Sequence, residues 1–207
     1  MTNTWLLFLP QTPATPSSLR VLVWRRLQQA GAVNAGAGAW MLPDTAEQEQ
    51  MLQKLLAQLE QQGGSGFLLK TVPTGDAMQA RLMERFQQER VGDYQEFGER
   101  CHEFLAEIEK ETIARKFTFA ELEENEQELL KLTRWLRKIQ RRDFFPSATS
   151  HEAQDAIARC RRALHTFTTA VYEREGLPPP IESDELASER EQEQGLFIEK
   201  HDQERRD

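Results

Sequence analysis

The first third of the chain alternates between two hydrophobic patterns. Short apolar runs have the length of buried strands, whereas longer stretches with apolar residues three and four positions apart are typical of amphipathic helices. The predicted elements, in chain order, are a strand at 5–9, a helix at 19–27, a hairpin at 32–42, a helix between Asp44 and Gly63, and a strand at 67–72. This strand–helix–strand–strand–helix–strand order predicts a ferredoxin-like split βαββαβ module over residues 1–74.

Residues that favour helix ends support these boundaries. Thr15 and Pro16 have the form of an N-cap followed by proline at the first helical position. Asp44 with Glu47 forms a capping-box pattern at the start of the second helix. Gly31 follows the first helix, where glycine commonly ends a helix.

Helical periodicity takes over from residue 75. Apolar residues follow helical spacing over residues 76–114. Thr118 and Thr149 are each followed three residues later by glutamate, a capping-box pattern that predicts two further helix starts. Three amphipathic helices with short connections predict a long antiparallel three-helix bundle over residues 75–176, and the fold class is therefore α+β.

Most of the formal net charge of −8 lies near the C-terminus. Residues 177–207 contain four Lys/Arg against ten Asp/Glu, so the preceding 176 residues are nearly neutral. We expect this segment to be an acidic, mostly flexible tail, with residues 196–198 as an apolar docking point. No apolar run approaches the ~20 residues of a membrane span, and no signal peptide is recognisable, so a cytoplasmic protein without membrane association is expected.

The two cysteines allow two interpretations. Cys101 and Cys160 both lie on the apolar stripes of predicted helices, where a free thiol usually acts as a small core residue. The alternative is an oxidant-sensitive pair, for which Cys160 is the candidate because Arg159 and Arg161 flank it.

The sequence lacks the usual signatures of catalysis. It contains no glycine-rich phosphate loop, nucleophile elbow, CxxC pair or HExxH helix. Glu99 and His102 have the spacing of di-metal helical bundles, but the second copy that such sites need is missing. We therefore expect no catalytic residue, no metal and no cofactor.

A basic run at residues 131–142 is the most suggestive charge pattern. Its members at three- and four-residue steps can share one helix face, and a second cluster follows on the third helix; the candidate residues are Arg134, Lys138, Arg141, Arg142, Arg161 and Arg162. They could compensate the helix dipole and pair with nearby acidic helices. They could equally bind an anion, either the phosphate backbone of DNA or an oxyanion.

Several motifs resemble the N-terminal domain of the ChrB chromate-resistance proteins. These are WLLFLP at 5–10, RVLVWRRL at 20–27, AWMLP at 39–43, KFTFAELEENE at 116–126 and RDFF at 142–145. The resemblance covers about residues 4–175 and implies a role in bacterial chromate response as part of a chromate-sensing transcriptional regulator. In long members of that family a C-terminal chromate-associated domain would begin where this chain ends, so sensing that resides there is not expected here.

The expected function is a non-enzymatic regulator that binds DNA or the chromate oxyanion through the basic helical face and forms a homodimer through its first module. One alternative is a protein–protein adaptor that works with a separately encoded partner domain. Another is a metal-dependent endoribonuclease, because the first module also resembles the ferredoxin-like domain of phenylacetate-pathway repressors and small CRISPR-associated endoribonuclease-like proteins. That resemblance implies a metal-binding aspartate at the end of the first strand, but residues 9–11 contain no carboxylate, which disfavours this alternative.

Overall fold

A computed structural model describes residues 4–15 and 17–178; the predicted acidic tail beyond Pro178 and its apolar residues 196–198 lie outside the described residues. The elements in chain order are β1 (Trp5–Gln11), α1 (Ser18–Gln29), β2 (Val33–Gly36), β3 (Ala39–Pro43), α2 (Ala46–Gln61), β4 (Ser65–Thr71), α3 (Asp76–Ile113), α4 (Phe119–Gln140) and α5 (Ala148–Arg174). The described chain is thus an α+β structure with four strands and five helices.

The four strands form one antiparallel sheet in the order β2-β3-β1-β4. Successive side chains of a strand point to opposite faces. Leu6 and Phe8 of β1 therefore share one face, where they are buried in a core cluster with residues of α1 and α2. Trp5 points to the other face, towards the long helices.

The starts of three helices differ in detail from the predicted caps. The α2 cap is Thr45 rather than Asp44, because the Thr45 hydroxyl accepts the Gln48 N–H at 3.2 Å. The α5 cap is Ser147, two residues before the predicted Thr149, and the Ser147 N–H donates to Ser150 Oγ. For α1 the N-cap position is Ser17 rather than the predicted Thr15.

The cap predicted for α4 is confirmed. The hydroxyl of Thr118 accepts the Glu121 N–H at 3.3 Å. A threonine cap satisfies one of the backbone donors that the first turn of a helix leaves unpaired.

The three long helices α3, α4 and α5 share one buried apolar cluster. Its most completely buried members are Phe97, Cys101, Ile139, Cys160, Phe167 and Val171. Each helix directs one apolar stripe into this cluster, as its periodicity predicts. No helix within the described residues is long and apolar enough to cross a membrane.

A smaller aromatic cluster joins the sheet to the long helices. Trp5 lies 5.3 Å from Phe86 of α3 and 5.6 Å from Phe145 of the α4–α5 loop, measured between ring centroids. The Trp5 indole N–H also donates to the Gln79 side chain at 2.9 Å. Contacts between buried aromatic rings stabilise beyond their burial alone. This cluster therefore fixes the α4–α5 loop against the sheet and positions the basic residues just before it.

Candidate nucleic-acid interface

Three of the predicted basic residues form an exposed row at the end of α4. Arg134 and Lys138 are one turn apart, and Arg141 follows three residues later at the C-cap. All three are exposed, and none makes an ion pair with another described residue. In contrast, Lys131 on the same helix is paired with Glu128 at 2.9 Å. The row is therefore available to a negatively charged ligand.

Arg142 points away from this row and holds α4 to α3. Its guanidinium donates to Asp93 Oδ2 at 3.3 Å and to the Lys138 carbonyl oxygen at 3.1 Å. Asp93 also accepts a 3.1 Å hydrogen bond from Arg90, a buried arginine. An arginine held by two acceptors and three-quarters buried contributes to the position of the helix end more than to a ligand surface.

A buried hydrogen bond fixes the segment immediately after Arg142. The Tyr94 hydroxyl donates to Asp143 Oδ2 at 2.7 Å, and the Phe145 N–H donates to Asp143 Oδ1 at 3.3 Å. Burial, followed by the hydrogen bond to Asp143, raises the pKa of Tyr94. The phenol therefore stays protonated and remains a donor to this carboxylate at all physiological pH values.

The C-terminal end of α1 lies directly against the C-terminal end of α4. Gly31 follows α1 with φ +77°, and a Cβ at this position would lie 2.7 Å from the Arg142 carbonyl oxygen. Only a glycine allows both the left-handed backbone and this close approach. The contact therefore sets the residue that follows α1 against the residue that follows the C-cap of α4, so the C-terminal ends of the two helices lie close together.

The outward face of α1 is basic and contains an exposed tryptophan, which the sequence analysis did not select as a site. Its members are Arg20, Val21, Trp24, Arg25 and Arg26. Trp24 is 52% exposed, and the helix contains no acidic residue. Exposed aromatic and basic side chains together suit nucleic acid, since the cations meet phosphates and the ring can stack on bases or pack against sugars.

Two signals in the sequence could have identified this face. Trp24 lies outside the buried stripe of Leu19, Val23 and Leu27, and α1 carries arginines without any compensating carboxylate. Large aromatic residues that lie outside the core stripe of a helix commonly mark interaction surfaces.

The structure does not bring the arginines of α5 into the same cluster. Arg161 is half-buried and interacts with another residue, whereas Arg162 is exposed. Both lie near the middle of α5, roughly 20 Å along the helix from the end that adjoins the α4–α5 loop. They form a second group, separate from the exposed cations at the end of α4.

Both cysteines are buried between α3 and α5. Cys160 is fully buried, and its thiol donates to the Cys101 carbonyl oxygen at 3.6 Å. The contact with Cys160, together with burial, raises the pKa of the Cys101 thiol. Oxidation of either thiol would therefore require the helical core to open.

The predicted Glu99 and His102 are both exposed on α3. Within the described residues, no group of three or more His, Cys, Asp or Glu side chains is arranged to hold a metal ion.

Comparison with known proteins assigns the chain to a family. The family model for the N-terminal region of protein ChrB matches residues 20–177, which include most of α1 and all three long helices. Protein ChrB of Cupriavidus metallidurans is 26% identical over 154 residues, which cover 72% of this chain and 43% of that relative. The chain thus spans less than half the length of the curated relative. With the family model matching well over half of its residues, the chain belongs to the ChrB N-terminal family.

Proposed function

We propose that this chain is a regulatory protein of bacterial chromate resistance that binds DNA through a surface formed by α1 and the end of α4. We call this surface, composed of Arg20, Trp24, Arg25, Arg26, Arg134, Lys138 and Arg141, the α1–α4 basic surface. Membership of the ChrB family supports the role in chromate response. A regulator of this kind acts in the cytoplasm and needs no catalytic activity of its own.

The observation that carries the proposal is the contact between two helix ends that are both basic. Gly31 and Arg142, which follow α1 and α4, contact each other, so the C-terminal ends of two helices that are far apart in sequence meet. Their side chains are exposed and have no acidic partners among the described residues, so binding phosphate would not require breaking an existing ion pair. Each phosphate contact releases counterions and contributes favourably at low salt.

The shape of the surface favours an extended polyanion over chromate itself. A small oxyanion requires several donors that converge on one point in a concave site. Here Arg25 and Arg26 line an open depression along α1, and the other cations project from exposed helix faces without converging on it. We therefore propose DNA, and not chromate, as the ligand of this surface.

We also propose a ferredoxin-like arrangement for the first module and a three-helix bundle for the second. The element order and the sheet order β2-β3-β1-β4 support the former. The cluster shared by α3, α4 and α5 supports the latter.

The test is a fluorescence-anisotropy titration of the protein against duplex DNA from its own upstream region. Charge reversal at an exposed, unpaired cation, such as Arg25→Glu or Arg141→Glu, should weaken binding about tenfold and reduce the salt slope by about 1 to 2. Lys110→Glu is the matched control, because Lys110 is exposed on α3 and already paired with Glu107. Equal affinities for all three variants and the wild type would refute the proposed surface.

A second candidate function, the adaptor, is favoured by one specific observation. Three large apolar residues are exposed where α3 ends, α4 begins and α5 is followed by the tail: Ile113, Phe119 and Leu177. Ile113 is the most exposed, at 76%. Exposed apolar residues at one end of a bundle suit packing against another domain. Co-purification of a stable partner that Ile113→Asp abolishes, with no affinity for DNA, would favour this function.

A further inference from the structure

We propose that the uncovered half of the sheet, formed by β1 and β4, is a homodimer interface that packs against the same face of a second copy. This inference goes beyond DNA binding, because it involves the opposite side of the sheet from α1. It rests on the position, chemistry and exposure of residues on two paired strands.

Four apolar side chains lie together on this face. Leu7 is directly opposite Leu69, and Leu9 is directly opposite Phe67, in the antiparallel register of β1 and β4. Directly opposed residues of antiparallel strands project from the same face of a sheet. Phe67 is 58% exposed and Leu69 is 48% exposed.

The long helices cover only the other part of this face. Trp5 shares the face with Leu7 and Leu9, but it is completely buried beneath Phe86 of α3. Arg85 of α3 donates to the Asn34 carbonyl oxygen on β2, so α3 lies over the β2 side of the sheet. Within the described residues, the β4 side is left without a covering element.

This face carries no charge along the two strands. Gln11, Ser65 and Thr71 are its remaining residues, and the Ser65 hydroxyl donates to the Gln11 side chain at 3.0 Å. Lys70 is directed to the opposite side, where it pairs with Asp44 and Glu49. The buried cores of protein–protein interfaces are depleted in charged residues. Their absence from the face of an edge strand favours a surface that is covered in the assembled protein.

A second copy is a better occupant than the tail of the same chain. Residues 177–207 contain ten acidic residues against four basic ones, and the face offers them no cation. Placing an acidic segment on an uncharged apolar face would give no electrostatic gain and would desolvate its carboxylates. A two-fold axis that runs between the two faces instead places Phe67 and Leu69 of one copy against the same apolar face of the other.

The dimensions of the face predict a weak dimer. Two seven-residue strands present a face of roughly 24 by 10 Å. This is below the ~800 Å² per partner of standard stable interfaces, so we expect dissociation in the micromolar range or weaker.

The experiment is sedimentation-velocity analysis of the full chain from about 1 to several hundred micromolar. Wild-type protein should shift from monomer to dimer across this range. Phe67→Glu and Leu69→Glu should each raise the dissociation constant tenfold or more, because both protomers lose an apolar contact and gain an opposed like charge. Leu130→Glu, which changes an exposed apolar residue of α4, is the matched control and should leave dimerisation unchanged. Circular dichroism spectra establish that each variant is folded.

A second measurement does not depend on the destabilising effect of a charge. Phe67→Cys should form an intermolecular disulfide under mild oxidation by oxidised glutathione, whereas Leu130→Cys should not. A wild-type protein that stays monomeric at every concentration overturns the proposal, as does a dimer unaffected by either face variant. A monomer in which Phe197→Asp accelerates amide exchange in β4 would assign the face to the tail and also overturn it.

Discussion

The contact between α1 and α4 can be tested with two glycines that are matched in backbone geometry. Gly31 follows α1 with φ +77°, and Gly63 follows α2 with φ +79°. The residue after each glycine donates its N–H to a carbonyl oxygen in the last turn of the helix. Ala32 donates to Leu27 and Gly64 donates to Leu59, both at 2.9 Å. The two sites therefore share the same helix-terminating motif.

The two glycines differ in what a side chain would meet. A Cβ at Gly31 would lie 2.7 Å from the Arg142 carbonyl oxygen and 3.0 Å from the Arg142 Cα. A Cβ at Gly63 would meet nothing within 4 Å. Because the clash at Gly31 involves backbone atoms, α1 and α4 must separate to admit a methyl group.

The magnitudes follow from this difference. Both Gly31→Ala and Gly63→Ala place alanine in the left-handed region, which costs about 1 to 2 kcal/mol. Gly31→Ala adds the cost of overpacking, about 1 to 3 kcal/mol. The difference between the two variants, about 1 to 3 kcal/mol, therefore isolates the α1–α4 contact.

Both variants are unfolded in urea, and unfolding is monitored by circular dichroism. Their free energies of unfolding are compared with the same dependence on urea concentration for both variants. We expect Gly31→Ala to be the less stable variant and to bind DNA more weakly, since the α1–α4 basic surface is displaced. If Gly31→Ala and Gly63→Ala lose the same stability within about 0.5 kcal/mol, Gly31 does not closely approach Arg142. The α1–α4 basic surface would then be refuted.

Three further predictions concern buried polar groups. Tyr94→Phe removes a hydrogen bond to the buried Asp143 carboxylate and should lower the free energy of unfolding by about 1.5 to 3 kcal/mol in urea; a loss below 0.5 kcal/mol would contradict the buried pairing. Burial raises the pKa of Glu111, so this carboxyl group binds its proton more tightly in the folded protein than in the unfolded chain. The stability of the wild type should therefore fall as pH rises above about 4, the ordinary pKa of a carboxyl group. Glu111→Gln should therefore be more stable than wild type at pH 7 and equal to it below about pH 4; an unchanged difference between these pH values would contradict this. Cys101 and Cys160 should react with a thiol reagent only after denaturation, and rapid labelling of the native protein would contradict their burial.

The sequence predicted the α+β class, because short apolar runs and amphipathic stretches are local signals that distinguish strands from helices. Three helix starts were misplaced where several capping residues follow one another, as at Asp44 and Thr45. Local sequence cannot decide between adjacent caps, since the choice depends on where the helix packs. The position of β1 between β3 and β4 depends on long-range pairing and has no local signal.

The candidate site was predictable in part. The three- and four-residue spacing of Arg134, Lys138 and Arg141 suffices to predict a shared exposed face. Local spacing also groups Arg142 with these residues. It cannot show that Arg142 is bound to Asp93, which is 49 residues away in sequence. The contribution of α1 emerged only when the fold brought Gly31 against Arg142.

If α1 and α4 form one DNA-binding surface, cations of both helices contribute to the salt dependence of DNA binding. This dependence is measured for Arg25→Glu, Arg141→Glu and the double variant. We expect submicromolar wild-type binding to upstream DNA at low salt that weakens steeply as salt rises. Each single variant should reduce the slope of log affinity against log salt by about 1 to 2, and the double variant by their sum. If wild-type binding is undetectable at every salt concentration, α1 and α4 do not form a DNA-binding surface. The same conclusion follows if the salt slopes of the Arg25→Glu and Arg141→Glu variants are indistinguishable from that of Lys110→Glu.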